Sequence, residues 1–263
     1  MRLFWELTVR SFRRALTYRA AAIAGLITNF FFGLFRVAIL LALFGDRTNL
    51  NGITVAGAIT YTGLTQAVIA FVNMFGSYEL MNSVYSGDVG SDLLKPMNFF
   101  TFWLAKDLGG ALFNLFSRGI LFMVLFELIY DLSYPETAVQ WLLLLISLVL
   151  SWIVSFAWRF LINLAAFWTP NATGIGRFGF FTSWFFSGFM MPLRLFPDWV
   201  QQLANWTPFP SMLNTVVEVY LGVATGAETA VLLLTQLAWA IGLILIGQMV
   251  LKTAVRRLVI LGG

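Results

Sequence analysis

Apolar runs of membrane-crossing length alternate with short polar connections along most of the chain. A run of about 20 apolar residues predicts a helix that crosses a hydrocarbon core of about 30 Å at 1.5 Å per residue. Six such runs occur, at residues 20–44, 53–75, 108–130, 139–168, 174–191 and 230–251. The fourth is long enough to tilt or to project past the bilayer. Ahead of the first, residues 1–19 interleave Arg2, Arg10, Arg13, Arg14 and Arg19 with Leu3, Phe4, Leu7, Val9, Phe12 and Leu16. That pattern predicts a basic amphipathic helix lying among lipid headgroups. The following run, about 25 residues long, exceeds the roughly 7–15 residues of a signal-peptide core, which argues against cleavage.

Two connections are too long to be turns. Residues 76–107 carry one helical pattern at Tyr78, Leu80, Met81 and Val84, broken at Ser86-Gly87-Asp88 and again at Lys95-Pro96. Residues 192–228 carry two: Trp199, Leu203 and Trp206 recur at helical spacing up to Pro208 and Pro210, and Leu213, Val216, Val217 and Tyr220 begin another. Two short helices on or dipping into the outer leaflet fit this segment, with irregular backbone only where protein or water covers it. No internal repeat, linker or low-complexity tract divides the chain, so residues 1–263 read as a single membrane domain. The expected fold is all-α and integral to the membrane, with six spans.

Charge sets the orientation. Arg2, Arg10, Arg13, Arg14, Arg19, Lys95, Lys106, Arg177, Lys252, Arg256 and Arg257 fall on one face of this topology, against Arg47 and Arg194 on the other. The positive-inside rule then puts both termini in the cytoplasm. The net charge of +4 is accounted for by topology and does not call for nucleic acid as a partner.

Composition narrows the chemistry. Of 263 residues 60% are hydrophobic and 11% charged, where a soluble domain carries roughly 25% charged residues; an ordinary soluble enzyme is excluded. Cysteine and histidine are both absent. That removes disulfides, thiolate chemistry, a Ser-His-Asp triad, a zincin and a haem-His site. Gly174-Ile175-Gly176-Arg177-Phe178-Gly179 matches the dinucleotide fingerprint only in letters. A βαβ unit is missing around it, and close packing of small residues against a neighbouring span explains it better. The chain has no P-loop, so any ATP and Mg²⁺ would be held by another subunit. The sequons at Asn171 and Asn205 carry no weight.

Charges within spans are informative because each is costly unless paired or wet. Arg36 lies roughly 24 Å from the inner end of the first span, and Glu127 roughly 28 Å from that of the third; they are a candidate intramembrane pair. Arg159 and Arg118 lie at a common depth, roughly 14 Å from the inner ends of the fourth and third spans. Two like charges at one depth are not expected to sit together dry. At least one is a candidate for a wet translocation path or an anion contact, against the plainer reading of snorkelling or a structural pair. Trp103, Trp141, Trp168, Trp199 and Trp206 fall near expected interfaces, as an aromatic belt does. Phe30, Phe31, Phe32 and Phe35, with Phe180, Phe181, Phe185 and Phe186, read mainly as lipid-facing, with a cavity for a hydrophobic substrate as the alternative.

The order of these parts resembles an ATP-binding-cassette type-2 exporter permease, in the branch of about 260 residues with multidrug and daunorubicin-type members. The resemblance rests on several parts in order. They are the basic N-terminal helix, Ser86-Gly87-Asp88 and Asp92-Leu93-Leu94-Lys95-Pro96 after the second span, Pro192 and Leu195-Phe196-Pro197-Asp198-Trp199 after the fifth, Pro208-Phe209-Pro210, and the tail with Arg256-Arg257 ending in Gly262-Gly263. It implies that residues 1–19 are an elbow helix on the inner leaflet. It implies that residues 76–107 hold a coupling helix docking on the ATPase, with Glu79, Tyr85, Ser86, Gly87, Asp88 and Asp92 as the docking residues. It also implies an external gate at residues 192–228, including Pro192, Phe196, Pro197 and Trp199. Such permeases resemble one another in working as dimers, with an identical or related second permease chain and two ATPase subunits. The implied setting is a bacterial inner membrane, and the implied cargo is hydrophobic or amphipathic. The coupling segment here is poor in charge for the family.

Three other readings stay open on the residues alone. A lipid-modifying membrane enzyme would place Asp88 and Asp92, four apart, on one helix face. A substrate-capturing subunit of a vitamin importer would bind a small vitamin tightly by itself. A scaffold or immunity protein would keep its function through every change in the 76–107 loop.

Overall fold

Residues 1–50, 52–74, 78–169 and 171–257 are described by the computed structural model. Helix α1 (Arg2–Thr17) forms as its amphipathic pattern predicts, and lies along α6 (Phe99–Asn114). A Cβ on Gly109 would come within 2.3 Å of the Thr8 carbonyl oxygen, so only glycine permits this approach. Thr8 Oγ1 donates to the Ala105 carbonyl at 3.2 Å and Ser11 Oγ to that of Lys106 at 2.6 Å. The basic residues Arg2, Arg10 and Arg13 stay exposed.

A helix stands at each of the six apolar runs read from the sequence. Four are long and apolar enough to cross a membrane: α2 (Arg19–Phe44), the third span (Phe99–Glu127), the fourth (Ala138–Phe167) and α12 (Ala227–Val255). The other two are shorter: α3 (Val55–Phe71), which is almost wholly buried at the centre of the bundle, and α9 (Thr173–Phe186). A two-stranded ribbon, β1 (Asn49–Leu50) with β2 (Ile53–Thr54), leads from α2 into α3, where the Thr54 side chain caps the helix through the Gly57 N–H. The expected end of the second span at Phe75, the start of the loop at Gly76, and the terminal Gly262-Gly263 lie outside the described residues.

The third span corrects the expected boundary. It starts at Phe99 rather than residue 108, with Asn98 accepting from the Thr101 N–H as its cap. Lys106 and Asp107 therefore sit inside the helix. The span is continuous through α6, a π-helical segment at Leu115–Ile120, and α7 (Leu121–Glu127). The fifth span stops at Phe186 instead of residue 191, because Gly188 turns the chain with φ +80°.

Beyond that turn lie α10 (Asp198–Asn205) and α11 (Asn214–Leu221), close to the two short helices expected there. They differ in environment. Helix α10 exposes Trp199, Leu203 and Trp206, whereas α11 is buried from Asn214 to Tyr220 and packs on α3 and α8. The chain thus re-enters the bundle.

Irregular backbone inside a bilayer requires internal hydrogen bonds, and α8 (Ala138–Asn163) supplies them. Ser147, Ser151, Ser155, Arg159 and Asn163 recur every fourth residue and all five are buried. Such residues form one ridge of a helix surface. Ser147 Oγ donates to Gln236 Oε1 at 2.9 Å, and Gln236 Nε2 donates to the Ser211 carbonyl at 2.8 Å. Ser151 Oγ donates to the Met212 carbonyl and Ser155 Oγ to that of Val72 at 3.0 Å. Arg159 and Asn163 continue the row to the C-terminal end of α8.

Candidate functional site

At one end of the bundle, α4 (Glu79–Ser86) and α5 (Val89–Leu93) form a helical corner. Its apolar side, Leu80 and Val89, is buried on a Phe-rich cluster from α6, α8 and α12. In that cluster Phe100 meets Phe156 at 5.3 Å and Phe160 at 5.0 Å, edge to face. The corner turns at Gly87, in the left-handed region at φ +81°, where Ser86 Oγ and Asp88 Oδ2 are 2.7 Å apart. Ser86, Gly87, Asp88, Ser91, Leu94, Lys95 and Pro96 are exposed. They form the projecting tip.

The remaining expected docking residues are engaged within the chain. Asp92 is buried, ion-paired to Lys95 and near Ser83 Oγ, which takes it off the surface a partner would touch. Asp88 is exposed, so the two carboxylates do not share one face, as the enzyme reading needs. The Tyr85 hydroxyl accepts the Ala172 N–H, tying the corner to the start of α9. Glu79 accepts from Arg14 on α1 at 3.1 Å and from Lys106 on α6 at 3.0 Å. Asn163 Oδ1 accepts the Met81 N–H at 3.0 Å, holding the first turn of α4 to the end of α8. One short helix is thus bonded to α1, α6, α8 and the segment entering α9.

Partial burial acts to raise the Glu79 carboxyl, but the charge and hydrogen bond of Lys106, then those of Arg14, outweigh it and hold its pKa below the ordinary value. A depressed carboxylate contributes stability above its unfolded pKa and loses it as pH falls through the folded one. Acidification below the ordinary glutamate range, about pH 4, is therefore expected to loosen α1 from α4. Spin labels on Arg10→Cys and Asn82→Cys, in a chain with no other cysteine, measure this. The distance distribution should broaden on acidification, and Glu79→Gln should broaden it at neutral pH.

Behind the corner a second charge pair is buried. Arg159 Nη1 and Nη2 donate to Asp107 Oδ1 and Oδ2 at 2.7 and 2.9 Å, and Trp152 Nε1 donates to Oδ2 at 2.8 Å. Arg159, Asp107, Lys106 and Glu79 border a cavity of about 120 Å³. Sequence reasoning singled out Arg159 and Glu79 but missed Lys106, Asp107, Trp152 and Asn163. The fourfold spacing on α8 was the available signal for Asn163.

Arg118 faces a different neighbour. From the π-helical segment it donates to the Ala21 carbonyl at 3.1 Å, with Gly25 leaving room for its guanidinium. The expected common depth of Arg118 and Arg159 does not hold: Arg159 pairs with Asp107, roughly 16 Å of helix rise away from Arg118 along the same span.

The expected Arg36–Glu127 pair does not form. Arg36 is buried, donates to Thr65 Oγ1 at 3.0 Å and to the Phe189 carbonyl, and stacks over the Phe189 ring at 4.2 Å. The face of α7 toward α2 is filled by Phe122 and Phe126, which turns Glu127 away to a cavity beside Tyr134. Arg36 instead fastens the turn that follows α9. The same turn is held by Tyr61, whose hydroxyl donates to the Gly188 carbonyl at 2.7 Å and lies 3.0 Å from Asn214 Oδ1. Of the expected gate residues, Pro192 is buried and Phe196 packs edge-on against Phe185 at 5.6 Å. Pro197 precedes α10, and Trp199 is exposed. Arg194 joins Glu218 and Glu228, both at 2.8 Å, stapling α11 to the start of α12.

A bundle of long apolar helices, with the α4–α5 corner bonded to several of them at one end, defines a multi-pass membrane protein. The sequence model of the ABC-2 family transporter protein matches residues 28–262, nearly the whole chain, and the chain belongs to that family. It is a membrane component of a transporter, in a family that works with an ATP-binding-cassette ATPase. No curated protein and no solved structure matches it.

Proposed function

We propose that this chain is the permease subunit of an ATP-driven exporter, with the Gly87 corner as the point where ATPase motion enters. The observation that carries this reading is the bonding of α4 to four other parts of the chain through Glu79, Tyr85 and Asn163. A displacement of the tip would reach the elbow helix and the third, fourth and fifth spans together. The chain acts as one domain of six crossings with both termini cytoplasmic, in a bacterial inner membrane. It pairs with a second permease copy, identical or related, and with two ATPase subunits that carry ATP and Mg²⁺. The segment from Pro192 to α11 gates the outer exit for a hydrophobic or amphipathic substrate, and the permease makes and breaks no bonds itself. Differential affinity of inward and outward states for substrate supplies the directionality.

Affinity purification of the tagged chain from its native membrane, in mild detergent, tests this. An ATP-binding-cassette ATPase and one or two permease species are the expected co-purifying chains. A clean monomer, even after cross-linking in the membrane, would sink the proposal.

A further inference from the structure

A cavity of about 510 Å³ opens between α3, the third span, α8 and α11, away from the cytoplasmic corner. Its walls are apolar, with Leu64, Val68, Met123 and Leu148 among them, and it holds a single carboxylate, Glu127. Three aromatic side chains, Tyr134, Trp141 and Tyr220, line it as well, with the Trp141 and Tyr220 rings edge to face at 6.0 Å. Tyr134 is hydrogen-bonded with Glu127, and Tyr220 lies within electrostatic reach of it.

Glu127 lies at the exposed end of α7, on the rim of this cavity. Asp107, Glu218 and Glu228 each pair with an arginine, whereas no ion pair joins Glu127 among the described residues. A carboxylate on the rim of an apolar cavity offers a cation a counter-charge there. One carboxylate is too few oxygens for a hard metal ion. Aromatic faces around a carboxylate suit an organic cation, and the volume suits a body of small-ligand size.

We propose that this cavity binds an ammonium group carried on an apolar body, the charge at Glu127 beneath the aromatic side chains and the body among the aliphatic walls. Such a group arrives either as the amino headgroup of a membrane lipid or as a free lipophilic amine. The site is independent of the ATPase reading, because binding needs neither ATP nor a partner subunit.

The test uses the full chain in phosphatidylglycerol nanodiscs and the fluorescent amine dansylcadaverine, excited directly, with its N-acetylated form as the uncharged control. Saturable binding of the amine is expected, at least about tenfold tighter than the acetylated probe, as loss of one charged hydrogen-bond partner implies. Glu127→Gln should remove that difference and Glu127→Asp should keep most of it. Leu148→Trp, which fills the cavity and leaves the carboxylate, should weaken the amine by a similar factor. Equal binding of both probes to the unmodified protein, or a charge preference that survives Glu127→Gln, would overturn the proposal. Replacing half the lipid with phosphatidylethanolamine separates the sources. A raised apparent Kd for the probe identifies the lipid amine as an occupant, and an unchanged Kd identifies a site for free amines.

Discussion

Replacing Asp107 by Asn is expected to destabilise the purified protein by about 3–5 kcal/mol, because it leaves the Arg159 guanidinium buried without its counter-charge. The two side chains are only 10% and 7% exposed, so water does little to compensate. Arg159→Met is expected to cost a similar amount by stranding the carboxylate, although Trp152 still donates to it. The double variant Asp107→Asn/Arg159→Met should cost much less than the sum, since no charge then remains to be stranded. Denaturation midpoints of the four proteins in one detergent measure the coupling. Additive losses would mean that the two groups do not stabilise each other, and that the inner face is held by Glu79 and Asn163 instead.

Gly87→Val is expected to lower ATP-driven transport on the order of tenfold, while the protein still inserts and still binds its ATPase. A side chain in the left-handed region costs roughly 1–2 kcal/mol, and a β-branched one fits worst. The turn would relax to another conformation and swing Ser86 and Asp88 off their line. Asparagine tolerates the left-handed region, so Gly87→Asn should retain most of the activity. Transport into inverted vesicles, beside ATPase co-purification, reads out both variants. Equal activity of Val and Asn variants would remove Gly87 from the coupling path.

Long apolar runs made α2, α8 and α12 legible to within a few residues, because a membrane imposes length and apolarity together. The third span was misplaced at its start for a specific reason. Lys106 and Asp107 read as a surface pair in any local window, whereas each is neutralised by a partner elsewhere in the chain, Lys106 by Glu79 at the edge of the bundle and Asp107 by Arg159 inside it. Pairing of that kind depends on how helices pack. The same limit explains Arg36 and Glu127, which share a depth but not a face. The helices after the fifth span were legible from their aromatic spacing, but not that α11 turns inward while α10 stays out. The row on α8 was present in the letters; serines barely lower hydropathy, so the segment read as uniformly apolar.

That row has a mechanical consequence. Five groups spaced by four residues meet five sets of partners in one alignment only. A small rotation or slide of α8 would orphan several of them together, each at about 1–3 kcal/mol. The next step along the ridge lies roughly 6 Å away, four residues of rise. The fourth helix therefore has a detent: it carries load as a stiff rod or clicks to another seating, and creeping between the two is disfavoured. A displacement arriving at its C-terminal end through Asn163 would be carried along the rod to the Ser211–Met212 segment, which Ser151 bonds directly and Ser147 through Gln236.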